Sequence, residues 1–193
     1  MKYSVRDLVH IGIFGALWGV LEMTLGAYLH TLGLPLIGTI MGGVGAMILL
    51  VGRLFVPRRG SVFMIGVVTA LIKLLSIGSV RLNPMIGILM ESLLVEAGLL
   101  LAKEPRRLSF VLAGALAVAW DFFHRFLTQG LIASRGLVEI YRWTIEDATQ
   151  LLGIPVAYAV AGILALLMLR IVVGAVAGLL AWDVGHAVRA RVQ

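Results

Sequence analysis

The chain has 193 residues, 61% of them hydrophobic and 13% charged, with a mean hydropathy of +1.04, far from the balance of a water-soluble domain. Its formal net charge of +6 falls at the ends of apolar stretches rather than on one face, which argues against a nucleic-acid partner. The absence of cysteine excludes disulfides, thiolate metal sites and cysteine nucleophiles.

A hydrocarbon core of about 30 Å asks roughly 20 apolar residues of each helix, so this length has room for about six spans and little extramembrane mass. The chain opens on "SVRDLVHIGIFGALWGVL", where Ser4 and Asp7 form a capping-box pattern ahead of an apolar run. The first predicted span, residues 8–29, is too long, and lacks the small-residue cleavage site, to be a removable signal peptide. Within it Gly12 and Ala16, and Gly15 and Gly19, stand four apart and form two small-residue ridges suited to close helix contact. The second and third spans are placed at 35–54 and 61–77, joined by the basic turn "RLFVPRRG". The fourth and fifth, 84–102 and 108–131, flank "KEPRR". Both basic connections read as tight turns between antiparallel helices rather than as sites. Residues 132–154 mix Ile140, Trp143, Ile145, Leu151 and Leu152 with Glu139, Arg142, Glu146 and Asp147. That pattern predicts an amphipathic helix, either lying at the interface or closing over a pocket as a lid. The last span, 155–182, is interrupted by Arg170 and longer than a bilayer requires, so it tilts or runs on beyond the membrane. The expected fold is a single all-α membrane domain over 1–193, a six-helix bundle with an interfacial segment between its fifth and sixth helices.

An even number of spans returns both ends of the chain to one side. On that side fall Lys2, Arg6, Arg53, Arg58, Arg59, Lys103, Arg106, Arg107, Arg189 and Arg191, against Arg81, Arg135 and Arg142 opposite. The positive-inside rule makes the first side cytoplasmic.

Ionisable residues inside spans are costly unless paired or wet, so each is a candidate site residue. At about 1.5 Å per residue, Glu22 and Asp121 lie roughly 20 Å up their helices, with His124 and Arg125 one turn higher. Lys73 and Glu91 fall near the same level on the third and fourth spans. Asp121, His124 and Arg125 share a helical face. Convergence of these groups in one leaflet predicts a polar cavity opening outward. Trp18, Tyr28, Trp120, Phe123, Tyr141, Trp143 and Tyr158 offer stacking surface at similar height, which an interfacial aromatic belt also explains. The expected substrate-binding set is Glu22, Lys73, Glu91, Asp121, His124, Arg125, Tyr141 and Trp143. Simple pairing, Asp121 with Arg125 and Glu91 with Lys73, is the competing account of the same charges, and Glu96 with Arg170 reads as a structural pair.

In outline the chain resembles the substrate-binding S components of energy-coupling factor vitamin transporters. The resemblance rests on the short basic lead "SVRDLVHIGIFGAL", six spans in under 200 residues with both ends cytoplasmic, and short loops rich in Pro and Gly. More loosely, it extends to "GSVRLNPMIGILMESLLVEAGLLL". It implies a non-catalytic binding subunit of a prokaryotic cell membrane, a vitamin-like ligand near the outer face, and a T component and two cytoplasmic ATPases as partners. A small-residue Ala-x-x-x-Ala motif on the first helix docks that T component in the family. Gly12 with Ala16, or Gly15 with Gly19, occupies its place here, a departure from two alanines that leaves the register open. No Gly-x-x-x-x-Gly-Lys-Ser/Thr loop is present in the chain itself.

No cofactor, metal or catalytic residue is expected. Carboxylates Glu22, Glu91 and Asp121 with His124 suit a flat, nitrogen-rich, cationic solute such as thiamine or its pyrimidine precursor, whereas Lys73 and Arg125 favour an acidic cargo. Two other classes stand beside this reading: an intramembrane enzyme on a lipid-like substrate, with Asp121 and His124 as acid and base, and a small ion-coupled carrier using Glu91 or Asp121.

Overall fold

Ser4 and Asp7 start the first helix as their spacing predicts. The Ser4 hydroxyl accepts from the Asp7 amide at 3.2 Å and the Asp7 carboxylate accepts from the Ser4 amide at 2.8 Å, so two otherwise orphaned N–H groups are satisfied reciprocally. Helix α1 (Val5–Leu21) runs from this cap into a π-helical turn, Glu22–Gly26, and on into α2 (Ala27–Thr31). There follow α3 (Ile37–Phe55), α4 (Ser61–Leu74), α5 (Leu82–Leu101), α6 (Arg107–Arg125), the amphipathic α7 (Leu137–Leu152), a 3₁₀ turn (Val156–Tyr158) and α8 (Ala159–Val192). This computed structural model describes residues 3–32, 36–75, 82–101, 106–125, 127–128, 130 and 136–192; among them there is no strand.

Among the described residues, five helical stretches are long and apolar enough to cross a membrane: Val5–Leu29, Ile37–Phe55, Asn83–Leu101, Arg107–His124 and Val156–Arg191. The predicted span at 61–77 corresponds to α4, whose 14 helical residues reach only about 21 Å at 1.5 Å per residue. Helix α8 continues well past residue 182, the run-on that its length suggested.

Helix α3 is the axis of the bundle. It packs against α1, α4, α5, α6 and α8, which contact one another in the order α1, α4, α5, α6, α8 around it. Its glycine-rich face lets neighbours come close: an added Cβ at Gly45 would lie 2.6 Å from the fully buried Trp18 ring of α1. The tightest contact is between α6 and α8. A Cβ at Gly174 would lie 2.8 Å from Cα of Ala115, and one at Gly178 would lie 2.9 Å from Cα of Val111, so backbone meets backbone. The outer surface is apolar along its length, with Leu8, Ile13 and Leu17 of α1, Leu112 and Leu116 of α6, and Leu164, Met168, Val172 and Val176 of α8 all exposed. A folded chain that buries its glycines and presents its leucines has the outside of a membrane protein.

The beginnings of α1, α4 and α6 and the ends of α3 and α8 gather at one end of the bundle. Asp7 pairs with Arg58 at 2.7 Å, the Tyr3 hydroxyl donates to the Arg59 carbonyl, and Arg107 pairs with Asp183 at 2.9 Å. The turn between α3 and α4 needs Gly60, whose φ of +84° lies in the left-handed region. Glu96 of α5 ties this turn down, accepting from the amides of Gly60 (2.8 Å) and Val62 (3.0 Å) and from Arg53 (3.1 Å). The expected pairing of Glu96 with Arg170 is thus incorrect. Similar depth on the page of a sequence says nothing about which way each helix faces, and Glu96 faces α4 while Arg170 faces α6. The connection "KEPRR" lies largely outside the described residues.

Helix α7 packs on α8 through Ile140, Thr144, Ala148 and Thr149, its one buried stripe, and leaves Tyr141, Arg142, Glu146 and Asp147 outward. A space of about 50 Å³ separates it from α6 and α8, lined by Asp121, Thr144, Asp147 and Arg170 among others.

Candidate functional site

At the end of the bundle opposite Arg58 and Asp183, five elements surround a cavity of about 390 Å³, within the roughly 300–1,000 Å³ usual for small-molecule sites. Helix α5 contributes Asn83, Gly87 and Glu91, four residues apart and therefore on one face. Helix α6 presents Trp120, Asp121 and His124; α4 ends in Lys73; α3 supplies Gly38, Met41 and Gly42. Glu22 arrives on the π-helical turn of the first helix. The wider turn re-aims the residues that follow, and its Glu22 carbonyl accepts from Lys73 Nζ at 3.0 Å.

Five of the eight predicted binding residues therefore line one cavity: Glu22, Lys73, Glu91, Asp121 and His124. Tyr141 and Trp143 do not. Helix α7 turns Tyr141 outward, 51% exposed, and rests on α8 rather than over the opening. The side chain of Arg125 lies outside the described residues. Sequence reasoning did not assign Asn83, Gly38 or Gly42 to a site. The signal for the two glycines is their spacing in "GTIMG", one turn apart and so on one face of the helix.

Those glycines seat the carboxylates. A Cβ at Gly42 would lie 2.6 Å from Glu91 Oε1, and one at Gly38 would lie 2.9 Å from Cγ of Asp121. Glycine on this face serves side-chain docking as well as helix-to-helix approach.

Of the two pairs expected, Glu91 with Lys73 is not formed, and Asp121 with Arg125 lies outside the described residues. Lys73 bonds Glu22 (Nζ to Oε2, 3.3 Å) rather than Glu91. Asp121 pairs with Arg170 of α8 at 3.1 Å and also accepts from Thr39 at 3.4 Å. Once Glu22 and Asp121 are matched in this way, Glu91 is left over: only 8% exposed, and with neither a hydrogen bond nor an ion pair among the described residues. Among the described residues, three carboxylates thus stand against the two cations Lys73 and Arg170. Three neutral polar atoms of the lining are also buried without partners: Asn83 Oδ1, Trp120 Nε1 and His124 Nδ1. The Trp120 and His124 rings lie 6.1 Å apart and tilted by 60°. The cavity wall thus offers a buried carboxylate, a carbonyl oxygen, an indole N–H and an imidazole nitrogen, each with unused hydrogen-bonding capacity. Among the described residues no group of three or more His, Asp or Glu side chains is disposed to hold a metal ion.

The small-residue ridges of α1 separate in the same way. Gly15 and Gly19 are occupied internally, with Cβ positions 2.6 Å from Val68 and 2.8 Å from Ile72 of α4, and the Gly15 carbonyl accepts from Thr69 at 3.0 Å. Gly12 has no atom within 4 Å of its Cβ position and, with Ala16, lies among the exposed Val9, Ile13 and Leu17.

Compared with known proteins, the chain matches no family model, no curated protein and no solved structure.

Proposed function

We propose that this chain is a non-catalytic solute-binding subunit of the prokaryotic cell membrane, serving uptake of a vitamin-like micronutrient. The observation that carries the reading is Glu91: a buried carboxylate without a partner among the described residues, facing a cavity where Asn83 Oδ1, Trp120 Nε1 and His124 Nδ1 are also unsatisfied. Leaving such a group unpaired costs several kcal/mol in a low-dielectric site, and a guest that donates to it removes the penalty. The Glu91 carboxyl, the free Asn83 carbonyl oxygen and the Trp120 and His124 rings favour a flat, nitrogen-rich guest that donates hydrogen bonds, and thiamine or its pyrimidine precursor is the preferred cargo.

In this reading the basic end faces the cytoplasm, because it carries Arg6, Arg53, Arg58, Arg59, Arg107, Arg189 and Arg191, and the cavity opens outward. A T component and two ATPases supply the energy in this reading, and the T component docks at Gly12 and Ala16; the packing of α4 on the Gly15 and Gly19 ridge supports that choice. The direct test is isothermal titration of the purified protein with thiamine and with its hydroxymethylpyrimidine precursor, alongside native mass spectrometry for any co-purified ligand. Binding that Glu91→Gln weakens at unchanged melting temperature supports the reading; wild-type affinity in Glu91→Gln overturns the site. A buried unpaired carboxylate also suits a proton-coupled carrier, and solute uptake by liposomes containing this chain alone would select that alternative.

A further inference from the structure

The basic end holds a second recess that solute binding does not use. It has a volume of about 860 Å³ and is formed by the start of α1, the turn after α3 and the end of α8, with Arg6, His10, Phe55, Arg58 and Arg189 in its wall. Its acidic member is Asp7, whose carboxylate is already committed, to the Ser4 amide at 2.8 Å and to Arg58 at 2.7 Å. Arg6 and Arg189 have no acidic partner among the described residues. Three guanidinium groups against one carboxylate leave two positive charges facing a single hollow. His10 has its Nδ1 against the Arg6 carbonyl (2.7 Å) and its ring 5.7 Å from that of Phe55, giving the recess an aromatic wall.

The recess sits where the apolar exterior stops. Val5, Leu8 and Val9 of α1 and Val184 and Val188 of α8 are exposed beside it, so a molecule with a charged head and hydrocarbon tails meets guanidinium groups and an aliphatic surface together. Arginine forks match phosphate oxygens bidentately, and basic pockets between membrane helices recognise anionic headgroups.

We infer that this recess is a binding site for a phosphate group, held by Arg6, Arg58 and Arg189 and presented by an anionic phospholipid or by a soluble phosphate. The site is independent of the solute cavity and of the cargo's identity.

The test is native mass spectrometry of the purified full chain after exchange into phosphatidylglycerol or phosphatidylcholine micelles, with a parallel thermal-shift titration using inorganic phosphate. Selective retention of phosphatidylglycerol identifies the lipid source; stabilisation by inorganic phosphate, without lipid selectivity, identifies the soluble one. In either case Arg6→Gln and Arg189→Gln each reduce binding by roughly five-fold, the effect of one basic residue at an anionic surface. Arg142→Gln removes the same charge from the exposed face of α7, and leaves binding unchanged. Both recess arginines are unpaired, so their replacement spares the fold, and unchanged melting temperatures verify this. Retention that is equal for the two lipids with no response to phosphate, or a loss equal in Arg142→Gln and the recess variants, overturns the site.

Discussion

Gly42→Ala tests the cavity with the smallest perturbation available, a single methyl group. Built on the α3 backbone, the new Cβ lies 2.6 Å from Glu91 Oε1 and 3.8 Å from Val118 Cγ2. Ordinary contact begins at 3.4 Å, so the carboxylate oxygen must retreat by 3.4 − 2.6 = 0.8 Å. It has room, because it is the tip of a side chain facing a 390 Å³ cavity rather than backbone. Two effects on folding oppose each other: alanine is favoured over glycine inside a helix by up to about 1 kcal/mol, while an off-rotamer Glu91 costs about 0.5–1.5 kcal/mol. The melting temperature should therefore stay within a few degrees of wild type. Binding has no such offset. A hydrogen bond to a charged group contributes about 1.5–3 kcal/mol, and displacing its acceptor by nearly 1 Å forfeits much of it. For the proposed cargo, thiamine, Kd should rise roughly ten-fold or more. Isothermal titration and a thermal melt on the same preparation read the two quantities separately. If Gly42→Ala binds as tightly as wild type, Glu91 does not hold the guest; if the protein unfolds, the carboxylate lacks the freedom assigned to it.

Three further outcomes follow from the same contacts. Gly174→Ala should destabilise the chain by about 1–3 kcal/mol or more, since the added Cβ meets the Gly114 carbonyl and Ala115 backbone, which cannot swing aside; a melt in detergent checks it, and wild-type stability would mean that α6 and α8 are farther apart. Glu96→Ala should cost about 3–5 kcal/mol by leaving Arg53 without its counter-ion and the Gly60 and Val62 amides without their acceptor, with no change in solute affinity in any protein that folds. Asp121→Asn should destabilise by about 1–3 kcal/mol, the lower part of the range for a buried pair because the Asp121 side chain is 26% exposed. Adding Arg170→Gln should then recover part of that loss, and strict additivity in the double-mutant cycle would deny the pair.

Hydropathy carried the helices: every predicted span has a helical counterpart, and the Ser4 and Asp7 cap sits where the pattern put it. It could not measure α4, because the count of apolar residues in 61–77 ignores where helical hydrogen bonding ends, at Leu74. Depth along a helix was legible to within a turn, and Glu22, Lys73, Glu91, Asp121 and His124 line one cavity. Azimuth was not. Lys73 turns to Glu22 and Arg170 turns to Asp121 because of the rotation of each helix about its axis. That rotation is set by glycine contacts such as Gly114 with Gly174 and by the π-helical turn at Glu22–Gly26, neither of which has a hydropathy signature. Tyr141 and Trp143 lie off the cavity for a related reason: an amphipathic helix announces that it will lie on a surface but not which one, and α7 rests on α8 with Ile140, Thr144 and Ala148 buried.

The arrangement of glycines separates two tasks that composition alone merges. Along α6 and α8, glycine sits against backbone, and the gain is close contact where apolar side chains find no advantage over lipid. Along one face of α3 it sits against Asp121, Glu91 and Trp18 in successive turns, at Gly38, Gly42 and Gly45. A helix of leucines at those positions would push the two carboxylates back toward α5 and α6, where Glu91 would meet the apolar packing of Val95 and Val118 rather than open space. The cavity is therefore a consequence of missing side chains on the central helix as much as of the charged ones around it. Its volume should be adjustable from α3 without touching any charged residue.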